Sequence, residues 1–141
     1  MKAPWHIWLV GIVVLLWNAM GALDYVMTKI RYEPYLAQLT AEQRAFFDGF
    51  PLWVTAAWAI AVWGAVLAAI LLLLRRRAAV GMFALALVAM LVTALHNFVL
   101  ATPNMTSIVG TGALIFSAAI AVVAFLEWAY ALWLARRGVL V

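Results

Sequence analysis

Residues 78–126, AAVGMFALALVAMLVTALHNFVLATPNMTSIVGTGALIFSAAIAVVAFL, contain no Asp, Glu, Lys or Arg. A helix crosses the hydrocarbon of a bilayer with about 20 apolar residues, so this run is too long for one crossing and right for two. Its natural break is Ala101-Thr102-Pro103-Asn104. Proline removes a backbone donor and disfavours helix in the residue before it. Two further uncharged runs precede it, Ala3–Leu23 and Gly49–Leu74. Together they predict one all-α transmembrane domain over residues 1–141. Its four helices form a bundle with spans at about 5–27, 51–74, 78–100 and 107–134, and residues 28–50 form a loop. The first run is longer than the apolar core of a signal peptide, and only Lys2 precedes it as a charge, so it is expected to stay as a span.

The composition excludes other classes. Of the 141 residues 70% are hydrophobic and 10% are charged, too few charges to coat a soluble domain. There is no Cys, so no disulfide scaffold exists. The net charge of +4 lacks the dense basic face of a nucleic-acid binder. No catalytic Ser-His-Asp arrangement, phosphate-binding Gly loop or metal-protease motif occurs, so no enzyme is expected. No metal site is expected either. His6 and His96 lie near opposite ends of their spans, with no Cys or second His beside either.

Cations set the expected orientation. Lys2, Arg75-Arg76-Arg77 and Arg136-Arg137 share one side of a four-span chain, against Lys29, Arg31 and Arg44 on the other. The positive-inside rule then places both termini in the cytoplasm. Arg75, Arg76 and Arg77 also suit anionic lipid headgroups. In the first loop Thr40-Ala41-Glu42-Gln43 has capping-box spacing, and Phe46, Phe47 and Phe50 follow on one face. This predicts a short helix in the membrane interface, either a lid or docking surface or a linker whose rings rest in lipid.

Ionisable and polar groups within spans are costly and therefore mark candidate sites. Asn18, Asp24 and Tyr25 on the first span and His96 and Asn97 on the third form a candidate outer polar pocket, in which a carboxylate could face an imidazole. The alternative is that Asp24 reaches headgroups or pairs with Lys29 or Arg31. Glu127 and His6 are expected near the inner boundary as part of a structural ion pair. Trp17 and Trp63 fall near mid-membrane, where their indoles could contact an apolar ligand or fill the bundle core. Small-residue stripes, Ala57-Ala61-Ala65-Ala69 above all, allow close helix approach within the chain or with a partner.

The segments Leu16-Trp17-Asn18-Ala19-Met20-Gly21-Ala22-Leu23-Asp24-Tyr25, Phe46-Phe47-Asp48-Gly49-Phe50-Pro51-Leu52-Trp53 and Ala57-Trp58-Ala59-Ile60-Ala61-Val62-Trp63-Gly64 resemble a family of small four-span inner-membrane proteins of proteobacteria. These are common in sphingomonad-like bacteria and often labelled "sugar transporter". The resemblance is clearest over residues 5–77. It implies a bacterial inner-membrane location and a four-helix bundle, and it places Trp17, Asn18, Asp24 and Tyr25 in the shared motif. At His96 it implies an aromatic such as Tyr, so this chain departs there.

Two functions follow as expectations. One is a non-enzymatic accessory subunit of a larger respiratory or photosynthetic membrane complex, contributing packing surface and contacts to lipid, quinone or pigment. The other is a small oligomeric transporter of a sugar-like solute or cation that uses the Asp24 region. No tightly held cofactor is expected beyond bound lipid, with quinone or pigment as alternatives. Partners are membrane lipids and other membrane subunits or further copies of the chain, with no nucleic acid.

Overall fold

The computed structural model describes residues 2–141. Those residues are helical, with no strand. Four helices are long and apolar enough to cross a membrane: α1 (His6–Lys29), α4 (Leu52–Leu73), α5 (Ala78–Leu95, continued by a wide turn over His96–Leu100) and α7 (Thr111–Arg136). Short helices fill the connections at one end: α2 (Glu33–Leu36), α3 (Ala41–Asp48) and α6 (Met105–Val109). That end is the loop end. The chain termini and the α4–α5 turn share the opposite, terminal end.

The four long helices form an open row. α1 packs on α4, α4 on α5 and α5 on α7. The α4–α5 seam is the tightest because small residues line it. Ala57, Gly64, Ala65, Ala68 and Ala69 are buried on α4, facing Ala79, Ala86 and Ala89 on α5. A Cβ at Gly64 would sit 3.6 Å from the Ala86 Cβ. Lipid supplies little hydrophobic drive between helices, so dispersion across close backbones supplies the contact. The α4 stripe is therefore spent inside the chain.

Three of the helix ends are closed by the same device. In each, the residue after the cap adopts the left-handed conformation and the next two backbone N–H groups reach back to the last turn. Arg31 (φ 56), Arg75 (φ 56) and Gly138 (φ 69) hold that position after α1, α4 and α7. After α7 the chain folds back, and Val139 and Leu140 are buried with Ile7, Leu72, Phe83 and Leu134. The Val141 N–H donates to the Arg75 carbonyl (2.8 Å), and the Arg77 N–H to the Val141 carbonyl (2.8 Å). The tail thus closes the terminal end of the bundle.

The fourth span differs from its predicted limits. Residues 105–109 form a separate helix, because Gly110 at φ 104 breaks the axis before Thr111. α7 then runs on to Arg136, beyond the expected end at 134. The predicted capping box is formed. The Gln43 N–H donates to Thr40 Oγ1 (3.2 Å), and the Thr40 N–H to Gln43 Oε1 (3.1 Å).

Candidate functional site

α1 and α7 flank the row without packing along each other, and a cavity of about 870 Å³ lies between them. Trp17, Asn18, Gly21 and Asp24 line it from α1, Ala61 and Ala65 from α4, Ala86 and Asn97 from α5, and Phe116, Ser117 and Glu127 from α7. Tyr35, Phe47 and Met105 line it at the loop end. At 1.5 Å per residue, Asn18 lies about 18 Å along α1 from His6, near the middle of the helix. The cavity therefore runs from mid-bundle to the loop end. Its volume falls in the range of pockets that hold small organic ligands, roughly 300–1,000 Å³.

The floor is polar. Asn18 Nδ2 donates to Glu127 Oε1 (3.1 Å) and to the Val14 carbonyl (3.0 Å). Glu127 is 7% exposed, and its Oε2 makes no hydrogen bond among the described residues. The walls are apolar and aromatic, with Trp17, Phe83, Phe98 and Phe116 among them. The wall from α7 is loose: Phe116 lines the cavity and is still 62% exposed.

The roof is built by the first loop. Tyr35 donates its hydroxyl to Asp24 Oδ1. Partial burial, first, and this bond and the charge of Asp24, second, push the Tyr35 hydroxyl up to about 12. Arg44 fastens α2 to α3 by donating to Glu33 Oε1 (3.0 Å) and to the Leu36 carbonyl (2.9 Å). Arg31 pairs with Asp48 at 2.7 Å. α3 packs on α6, and Phe46, Phe47 and Phe50 meet one another edge to face. Phe50 also meets Trp58, at 6.0 Å between ring centroids.

Several expected pairings are corrected. His96 does not face Asp24. Its Nδ1 donates to Asn97 Oδ1 (3.0 Å), and its ring lies edge-on to Phe50 (5.4 Å) and Trp53 (5.6 Å). Asp24 is instead held by Tyr35, so of the expected outer pocket Asn18, Asp24 and Asn97 line one cavity and His96 lies outside it. The Ala101 N–H bonds to the His96 carbonyl across the wide turn, and this turn carries the buried Asn97 to the cavity wall. Wide turns of this kind recur at functional sites.

Glu127 and His6 do not pair either. His6 Nδ1 shares a hydrogen bond with the Tyr130 hydroxyl (2.6 Å), and Glu127 sits deeper, against Asn18. The physical reason is competition between neighbouring side chains on α7. Tyr130 lies three residues, less than one helical turn, beyond Glu127 on α7 and occupies His6, while the Glu127 carboxyl takes the Asn18 amide. Tyr25 meets Trp58 edge-on at 4.8 Å and does not line the cavity. Trp63 is 45% exposed and also lies outside it, whereas Trp17 lines it. Arg75 closes α4 and donates from Nε to the Val139 carbonyl (3.1 Å), and Arg76 and Arg77 continue the turn. Tyr35, Phe116 and Ser117 are site residues that sequence reasoning missed. Ser117 had a visible signal, a polar residue within the fourth span.

Fold and cavity together define a multi-pass helical membrane protein. No family model, no curated protein and no solved structure matches the chain.

Proposed function

We propose that this chain is a non-enzymatic integral protein of the bacterial inner membrane that holds an amphiphile from the bilayer between α1 and α7. The observation that carries this reading is the cavity. It has an apolar, aromatic wall, a buried polar floor at Glu127 and Asn18, and a loosely packed side at α7. Such a site suits a molecule with one polar end and an apolar body. The cation count sets the termini in the cytoplasm and the roof outside. Arg75, Arg76 and Arg77 then face cytoplasmic headgroups, and α3 lies at the outer interface. The resemblance to small four-span proteobacterial membrane proteins supports the same location. The exposed apolar faces of α1 and α7 serve contact with lipid and with other subunits, as an accessory subunit of a larger complex requires.

Native mass spectrometry of the protein released from nanodiscs tests the binding role. The wild type is expected to carry an amphiphile that Ala124→Trp, which fills the cavity, does not. Equal adducts on both proteins would overturn the reading. Gentle solubilisation from the native membrane tests the subunit role, with stoichiometric co-migration expected.

One observation favours a second reading, transport of a sugar-like solute or cation. The cavity joins two polar stations at different depths, Asp24–Tyr35 at the roof and Asn18–Glu127 at the floor. Uptake into proteoliposomes that disappears in Asp24→Asn would establish it over the subunit role.

A further inference from the structure

The cavity differs in charge from the rest of the chain. The protein carries a net charge of +4, yet the charged side chains that line the cavity are Asp24 and Glu127, with no Lys, Arg or His. The ion pairs of the described residues, Arg31–Asp48 and Arg44–Glu33, both lie in the first loop, and Glu127 takes part in neither. Glu127 is 7% exposed, and its Oε1 accepts a hydrogen bond from the neutral amide of Asn18. No hydrogen bond reaches its Oε2 or Asn18 Oδ1 among the described residues, and neither is a buried unsatisfied atom, so both are open to the cavity. An ionised carboxylate this deep in a membrane protein is costly unless a cation compensates it. The rings of Trp17, Phe83 and Phe116 stand around the same space, and aromatic faces attract cations once water is excluded.

We infer that the amphiphile this cavity takes is a lipophilic cation of the ammonium or phosphonium class. Its charged centre rests at Glu127 and Asn18 Oδ1, and its apolar groups lie on the rings of Trp17, Phe83 and Phe116. Asp24, at the roof of the same cavity, gives the entry route the same sign of charge. The inference rests on the reading of the cavity as an amphiphile site and adds the sign of the ligand's charge.

Two ions of the same four-phenyl shape and opposite charge, tetraphenylphosphonium and tetraphenylborate, test it. The full chain is placed in phosphatidylcholine nanodiscs, and binding is read by equilibrium dialysis after subtraction of empty discs. Saturable binding of tetraphenylphosphonium and none of tetraphenylborate is expected. Glu127→Gln should weaken phosphonium binding about tenfold or more, and Glu127→Asp should retain most of it. The comparison of the two ions on the wild type stands whether or not Glu127→Gln folds. Saturable binding of both ions, lost in Ala124→Trp, would overturn the charge preference and leave the amphiphile site standing. Binding of neither ion, with native adducts unchanged in Ala124→Trp, would overturn both.

Discussion

The bond between Asn18 and Glu127 ties α1 to α7 at mid-bundle, well away from their other contacts at the terminal end, His6–Tyr130 and Ile7 with Leu134. Asn18→Ala removes the donor at 3.1 Å from Glu127 Oε1 and leaves a carboxyl group buried without a partner. Stranding a buried acceptor costs about 1–3 kcal/mol. Interhelical hydrogen bonds within membranes run lower, about 0.6 kcal/mol on average and about 1.7 at most. Burial of Glu127 to 7% exposure places this bond toward the upper end of that range, and a coupling of about 1–1.5 kcal/mol is expected. Asn18→Ala also loses the bond to the Val14 carbonyl, but both Asn18→Ala arms of a double-mutant cycle share that loss, so it cancels. The single variants should differ in sign. Asn18→Ala destabilises, whereas Glu127→Ala is neutral or stabilising, because it removes a costly buried group along with its bond. Steric trapping in bicelles reads the unfolding free energies. A coupling below about 0.3 kcal/mol, or a Glu127→Ala as destabilised as Asn18→Ala, would refute the placement of these two side chains.

Four further outcomes follow from the same structure. The Tyr35 hydroxyl, pushed up to about 12, stays protonated in the folded roof while an exposed tyrosine titrates near 10. Its contribution to roof stability is therefore full below pH 10 and is lost as pH rises toward 12. A tyrosinate absorbance titration should lose a late-titrating group in Tyr35→Phe. Gly138→Ala forces a Cβ into the left-handed conformation at φ 69 and should cost about 1–2 kcal/mol. Leu140→Ala, at 3% exposure, should cost about 2–5 kcal/mol, and both are read as lowered thermal midpoints in detergent. Gly64→Leu drives a branched side chain into Ala86 across the α4–α5 seam and should cost about 1–3 kcal/mol, measured by the same unfolding assay.

The spans were legible because lipid leaves a simple trace. Uncharged runs of the right length identified all four long helices, and Pro103 marked the break within residues 78–126. The capping box at Thr40 and Gln43 was legible for a related reason, since it is a local hydrogen-bond pattern with fixed spacing. Tertiary pairing was not legible. Asn18 and Glu127 are 109 residues apart in sequence, and nothing in either span indicates which helix lies opposite. Gly110 looked like any membrane glycine until its φ of 104 separated α6 from α7. Glu127 lies within one turn of Tyr130, the partner of His6, so depth alone could not decide between His6 and Asn18. His96 and Asp24 were matched on depth alone. Rotation about the helix axes decided otherwise, giving Asp24 to Tyr35 and His96 to the rings of Phe50 and Trp53.

The central claim is that α1 and α7 enclose a bound amphiphile, and a structure of the full chain in a lipid nanodisc tests it most directly. The account predicts elongated density between Trp17 and Phe116, with its polar end within hydrogen-bond distance of Glu127. A bundle in which α7 closes against α1, leaving Ser117 and Ala124 packed and no room between them, would contradict it.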